Sequence, residues 1–301
     1  MTTAATGSRT AAHPVAAAQG FLAQLWREMD EDNVWNGAAA LGFYLTLAVF
    51  PTMIFLMALV PYLPVAHVDQ AIMDLLRQAL PARTAEMFSG VVSEVASERR
   101  GGVLTFGIAA ALWASSTGMY AVMQEMNIAY DVEERRGFLR ARATALGLSL
   151  LFVVLVIGAF SLVVLGGVIQ DWIGRRMGVS DTLLNFFIVF RWVVIVLALL
   201  VAIALIYDRA PSRKRRFALL TRGTIVATAA LVIASLAFRV YVANFGNYSA
   251  TYGSIGAVIV LMLWFYLAGL VMLVGAEIDA LAEARAQSGS AIARGAGLTG
   301  D

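Results

Sequence analysis

Six long apolar runs dominate the pattern of hydrophobic and polar positions, near Ala38 to Val60, Gly102 to Met123, Ala143 to Ile169, Leu183 to Tyr207, Phe217 to Val242 and Tyr252 to Ala276. At 1.5 Å of rise per residue, each is long enough to cross a hydrocarbon layer of about 30 Å. A backbone surrounded by lipid must satisfy its own hydrogen bonds, so every run predicts a helix. The fold class is therefore all-α: a polytopic membrane protein with six transmembrane helices. Two further stretches alternate at helical spacing and predict interfacial amphipathic helices. "FLAQLWREM" puts Phe21, Leu22, Leu25, Trp26 and Met29 on one face and turns Gln24, Arg27 and Glu28 away from it, which suits a helix lying in the interface before the first span. Between His67 and Arg99, Ile72, Leu75, Leu76 and Leu80 alternate with Asp69, Asp74 and Arg77, and Pro81 interrupts the pattern. This loop predicts two helices resting on the outer surface of the bundle or on lipid. The small, polar residues of 1–16 and 283–301 read as disordered tails flanking a membrane domain over 17–282.

Composition points the same way. Of 301 residues, 60% are hydrophobic and 14% charged, where a soluble domain carries roughly a quarter charged residues. Mean hydropathy is +0.78. Cysteine is absent, which removes disulfides, thiolate nucleophiles and Cys-based metal or iron–sulfur sites. His13 and His67 are too few to build a histidine metal centre, so neither metal nor other cofactor is expected. No Gly-rich phosphate loop or serine–histidine–acid set appears, and the chain reads as a non-enzyme.

The formal charge is +2, but the basic residues cluster at the ends of apolar runs, a topology signal rather than a nucleic-acid surface. With the N-terminus inside, the inner segments hold 14 Arg and Lys residues and the outer segments 6. The bias places both termini in the cytoplasm, and "DRAPSRKRRF" is its strongest contributor.

Candidate chemistry is sparse. Arg191 lies about nine residues into the fourth span, roughly 12 Å deep, and Arg239 lies near the outer end of the fifth. Buried guanidinium groups hold phosphate or carboxylate in a fork, and the bland alternative is snorkelling to the interface. Glu277 and Asp279 close the last span. Two residues apart on a helix, they point about 200° from each other and cannot form a paired-carboxylate acid–base site. Glu277 shares a face with Tyr266, Leu270 and Leu273, so it reads as a structural helix-end residue that points into the bundle, pairs with an inner arginine or caps a neighbouring helix. Pro51 frees the carbonyl of Leu47 and marks a hinge or an ordinary kink. Ser115 and Ser116 belong to a stretch of small residues that lets helices approach closely. Tyr44, Tyr266 and Asn127 complete the residues that line a cavity or vestibule on this reading. Gly253 and Gly256 mark a packing face toward another span or another subunit, and the oligomeric state is not legible.

Several blocks together resemble the YihY/BrkB family of bacterial inner-membrane proteins, historically named ribonuclease BN: "AAALGFYLTLAVFPTMIF" from Ala38, "ALWASSTGMYAVMQEMNIAY" from Ala111, "RWVVIVLALLVAIALIYDRAP" from Arg191 and "YGSIGAVIVLMLWFYLAGLVMLVGAEIDA" from Tyr252. Gly275, Ala276 and Glu277 match the family's closing motif, whereas Asp279 stands where the family usually has Asn. The resemblance implies a six-helix protein of the bacterial inner membrane, linked to serum resistance and to movement of envelope lipid or lipopolysaccharide precursors. The expected function is binding or translocation of an anionic lipid or other amphiphile, with Arg191 and Arg239 on the headgroup and membrane lipids as partners. The competing expectation is a non-transporting scaffold for envelope proteins, and a ribonuclease comes last, because the basic loops are explained by topology and by attraction to anionic lipid.

Overall fold

The computed structural model describes residues 20–59, 101–177, 181–213, 218–245 and 255–295. Seven helices are described: α1 (Phe21–Glu31), α2 (Val34–Leu59), α3 (Gly101–Ala129), α4 (Phe138–Met177), α5 (Asp181–Arg209), α6 (Arg222–Phe245) and α7 (Ile255–Gly295). Six of them, α2 to α7, contain stretches long and apolar enough to cross a membrane, each overlapping one of the expected spans. The turns that separate elements fall where local chemistry allows them. Asn33 (φ 53°) and Asp131 (φ 50°) adopt the left-handed conformation, which short polar side chains tolerate, and these two residues end α1 and α3. Thr221 starts α6 by accepting the Thr224 N–H at 3.1 Å on its hydroxyl. Pro51 lies inside α2, which continues beyond it to Leu59.

The six long helices neighbour one another in chain order, and α2 packs against both α3 and α7, which closes the ring; α1 rests on α7 and α2. Burial concentrates at one end, here called basal, where α1, the α3–α4 and α5–α6 connections and the last turns of α7 meet. Met123 and Met126 of α3, Tyr207 of α5, Leu273 of α7 and Leu41 of α2 are almost inaccessible there. Three helix pairs approach too closely for larger side chains. A Cβ on Gly42 would lie 3.2 Å from the backbone of Tyr266, and one on Gly269 would lie 3.2 Å from the Leu41 Cβ, so α2 and α7 are in near-backbone contact. Gly223 of α6 faces the Gly275 carbonyl of α7 with no room for a Cβ at all. Gly275 in turn lies against Ala227 and the hydroxyl of Tyr207, which donates to the Met272 carbonyl at 2.5 Å and joins α5 to α7.

Away from the basal end, from the middle of the bundle outward, two described stretches are packed differently. Five consecutive residues of α4, Leu150 to Val154, are all exposed. Successive helix positions turn by about 100°, so these five sweep the whole circumference. On α5, Phe187, Val189, Phe190, Trp192 and Val193 are exposed over about 220° of the circumference, with half-buried Arg191 among them. Over 150–154, α4 is accessible on the faces turned toward neighbours as well as on those turned outward.

Two readings of the sequence need correction. On α1, Leu25 and Met29 are buried as expected, but Gln24 is buried with them, whereas Leu22 (77% exposed) and Trp26 (64%) face outward. The cause is Arg285 on α7, whose guanidinium donates to Gln24 Oε1 and stacks 5.1 Å over Phe21, so a polar side chain is drawn to the packed face. The helix of α7 also runs through Ala282 and on to Gly295, into the stretch read as a tail, and Glu283 and Arg285 there make long-range contacts. The N-terminal tail of 1–16, the His67–Arg99 loop and Gly253 lie outside the described residues.

The glycine contacts generate a stability prediction. Gly223→Ala should destabilise the protein by about 1–3 kcal/mol through overpacking, whereas Gly147→Ala on α4, where an added Cβ meets nothing within 4 Å, should be neutral or slightly stabilising. Thermal unfolding of the two variants in detergent checks the ordering.

Candidate functional site

Polar side chains gather at the basal end, drawn from every long helix except the outer parts of the ring. Glu277 of α7 is 2% exposed and its carboxyl lies close to that of Asp32, at the α1–α2 junction. No N–H or hydroxyl among the described residues donates to Glu277 Oε1. The surroundings are acidic, with Asp131 following α3 and Glu28 and Glu31 on α1. Burial, followed by the charge of Asp131, pushes Asp32 up to about 6, and the contact with Glu277 opposes that rise in part. The inner arginine expected beside Glu277 is therefore replaced by a second acid.

The capping role expected of Glu277 belongs to its neighbour. Asp279, also 2% exposed, accepts the Thr221 hydroxyl at 2.5 Å and the Gly223 N–H at 2.7 Å, which puts a negative charge on the first turn of α6. Both of these contacts need only an acceptor, which a carboxylate supplies. The geometry of the two acids follows from helix spacing: with about 200° between them, one faces the α1–α2 junction and the other the start of α6.

A second cluster joins α3, α4 and α5. Arg136 holds Glu134 through Nε at 2.7 Å and Nη2 at 2.8 Å, and donates to the Ala210 carbonyl at 2.6 Å and the Arg209 carbonyl at 3.3 Å. A guanidinium thus satisfies orphan carbonyls at the C-terminus of α5, where the helix dipole favours a cation. Asn127 is 6% exposed; it donates to Glu134 Oε2 at 3.0 Å and accepts the Ser212 N–H at 2.7 Å. It is a staple between α3 and the α5–α6 connection rather than a residue lining an open vestibule, because both halves of its amide are engaged. Arg213 stacks 3.7 Å over Tyr130 and donates to Glu283 at 2.7 Å, which fastens the same connection to α7. The Arg136 fork, ahead of the opposing cost of burial, holds Glu134 well below the usual carboxylate range, at about 2.

Ser115 and Ser116 serve the α3–α4 contact. The Ser149 hydroxyl donates to the Ser115 carbonyl at 3.0 Å, and Arg142 Nη1 donates to Ser116 Oγ at 3.3 Å and Thr117 Oγ1 at 3.2 Å. Arg142 also lies 5.2, 4.9 and 5.7 Å from the ring centroids of Trp113, Tyr120 and Phe138. The sequence reading counted Arg142 only as a topology charge; the i, i+3, i+4, i+7 spacing of Trp113, Ser116, Thr117 and Tyr120 on α3 was the available signal for a shared face. In the distal half, Arg191 is half-buried, ten residues into α5, with its Nε sealed from solvent. Arg239 is exposed on α6. Tyr44 is partly exposed and packs edge-on to Phe43 at 5.4 Å, and Tyr266 packs at the α2–α7 contact beside Gly42. Pro51 lies in the same half of α2. The structure thus separates the candidates into a basal polar network and a distal pair of arginines. Among the described residues no group of three or more His, Cys, Asp or Glu side chains is placed to hold a metal ion.

Opposite pH signs follow for the two acids outside the spans. Asp32 is raised from 3.8 to about 6 in the folded protein, so its contribution to stability is full below 3.8 and is lost as pH rises through about 6. Glu134 is lowered from 4.5 to about 2, so its contribution is present above 4.5 and is lost as pH falls through about 2. Asp32→Asn should flatten the first loss and Glu134→Gln the second, in thermal unfolding scans across both windows. Asp279→Ala should cost about 1–3 kcal/mol in the same assay, because it leaves buried donors on Thr221 and Gly223 unanswered, and Asp279→Asn should cost less.

The family model described as virulence factor BrkB matches residues 25–296. A putative ribonuclease-like protein, YfkH of Bacillus subtilis, is 37% identical over 265 residues, covering 88% of this chain and 96% of that protein. A UPF0761 membrane protein of Photobacterium profundum is 22% identical over 263 residues, covering 86% of this chain and 80% of its own. A further UPF0761 membrane protein, from Alteromonas mediterranea, is 40% identical over 80 residues, 27% of each chain. No solved structure matches. The match across nearly all the described helices and their connections makes this chain a member of the virulence factor BrkB family of multi-pass membrane proteins.

Proposed function

We propose that the protein binds an anionic amphiphile, a phospholipid or a lipid A-like precursor, and moves it between leaflets of the bacterial inner membrane through the distal half of the bundle. The observation that carries this reading is the all-round exposure of α4 over 150–154 and the exposure of Phe187, Val189, Phe190, Trp192 and Val193 on α5, with half-buried Arg191 among them. Side chains accessible on every face of a helix leave room between helices for acyl chains, and a guanidinium among them supplies a fork for a phosphate. The α5 span has the highest mean hydropathy of the six, 2.9. An arginine there costs about 2.5 kcal/mol or more on insertion scales, which an anionic ligand offsets. Arg239, exposed on the neighbouring α6, would assist at the headgroup, and Pro51 would allow α2 to separate from its neighbours. The reading is non-enzymatic: the basal acids are engaged with one another, with Arg136 or with the start of α6, rather than presented to a substrate.

The basal end is assigned to the cytoplasm. Its support is the charge bias, since Arg135, Arg136, Arg140, Arg142, Arg209, Arg213, Arg222 and Arg285 all belong to basal connections or helix ends.

The test is leaflet exchange of a fluorescent anionic phospholipid in liposomes holding the purified protein, beside Arg191→Gln and empty liposomes. Exchange that depends on protein and falls about tenfold in the variant is the expected result, the scale of one charge-assisted contact. Exchange unaffected by the substitution would remove Arg191 from the path, and no exchange at all would favour the scaffold.

A further inference from the structure

Arg142 presents a charge problem that the protein does not solve by itself. It is the fifth residue of α4, inside the apolar stretch Phe138–Val156, about 6 Å from the start of the helix. Its protein contacts are two hydroxyls on one nitrogen, Nη1, and the three rings of Trp113, Tyr120 and Phe138. Among the described residues no carboxylate pairs with it. Hydroxyls and ring faces orient a guanidinium and shield it, but they leave its full positive charge uncompensated. The nitrogen Nη2 makes no protein hydrogen bond and is not among the sealed atoms, so it reaches the surface. Two of the rings around the guanidinium, Trp113 (67% exposed) and Phe138 (66% exposed), reach the surface as well, and aromatic side chains gather at the headgroup level of a bilayer.

The surface beyond Arg142 has the shape of an amphiphile. On α4, Leu146, Leu150 and Val153 follow Arg142 at +4, +8 and +11, within about 80° of it around the helix axis, and all three are exposed. On α3, which runs antiparallel beside α4, Phe106 stands seven residues from Trp113 on the same face and is likewise exposed. A charged donor at the interface is thus continued toward the membrane centre by two apolar ridges, roughly 16 Å long on α4 and about 10 Å long on α3.

We infer that the α3–α4 surface at Arg142 is a binding site for one anionic phospholipid of the basal leaflet, its phosphate on Nη2 and its acyl chains between the two ridges. The occupant is a lipid rather than a free anion because the donor is flanked by exposed apolar side chains, Leu146, Leu150 and Val153 on α4 and Phe106 and Trp113 on α3. An anionic lipid is preferred over a zwitterionic one because a headgroup ammonium would meet the guanidinium with like charge. The site holds whether or not the protein moves lipid through its distal half, and Arg191 has no part in it.

The test is native mass spectrometry of the full-length protein in mixed micelles with phosphatidylglycerol or phosphatidylcholine, comparing wild type, Arg142→Gln and Arg140→Gln. Wild type and Arg140→Gln, whose arginine is exposed two residues from Arg142 and about 200° around the helix from it, should retain one phosphatidylglycerol in preference to phosphatidylcholine. Arg142→Gln should retain it about tenfold less well. Equal retention of the two lipids by wild type, or undiminished retention of phosphatidylglycerol by Arg142→Gln, would overturn the site. So would displacement of the lipid by inorganic phosphate, which would make it a free-anion site. If Arg142→Gln does not purify as a folded protein, the wild-type lipid comparison decides the question, with Arg142→Lys expected to bind more weakly than wild type because it keeps the charge and loses the planar fork.

Discussion

Where α6 meets α7, two backbones touch at Gly223 and Gly275, and the rest of the basal end is built around that contact. The approach brings the first turn of α6 within reach of Asp279, whose carboxylate answers its N–H groups. It brings Tyr207 under the Met272 carbonyl, and so ties in α5. It also fixes the rotation of α7, and with it the direction in which Glu277 points, toward the α1–α2 junction and Asp32. A membrane interior offers little hydrophobic drive between helices, so close packing and polar contacts have to supply association. Here both are concentrated at one end, which leaves the other half of the ring free to be loosely packed.

That asymmetry unites the functional readings. A fully packed ring would leave no place for a ligand, and a ring loose at both ends would have little to hold it. The basal network of Asp279, Tyr207, Arg136, Asn127 and Arg213 joins α3, α5, α6 and α7 through buried groups. α4 and α5 can then diverge over 150–154 and 187–193 without loss of register elsewhere. At the basal end Arg136, Arg213 and Arg285 tie separate elements together, while Arg191 lies among exposed apolar residues of α5.

The six spans were legible in the sequence because lipid imposes a long, continuous hydrophobic signal, and their number and order follow from it. The separation of Glu277 and Asp279 onto different faces was also legible, since it depends only on helix geometry. What each acid faces was not. Asp279 reaches Gly223 across 56 residues of sequence, Asn127 reaches Ser212 across 85 and Arg285 reaches Gln24 across 261, and no local pattern encodes such pairings. Gln24 shows the consequence most clearly, because the periodicity of α1 turns it outward and a partner on α7 turns it inward. The end of α7 was missed for a related reason: the small, polar residues after Ala282 have weak helical signal of their own, and the helix there extends one already started and anchored by Glu283 and Arg285.

The central claim is that acyl chains enter between the helices of the distal half. Photoactivatable phospholipid, cross-linked to the protein in a bilayer and mapped by peptide mass spectrometry, tests it most directly. The account predicts adducts around the full circumference of α4 over 150–154 and over about 220° of α5 over 187–193. Adducts confined to a single outward stripe on each helix would contradict it and would describe an ordinary lipid belt around a closed bundle.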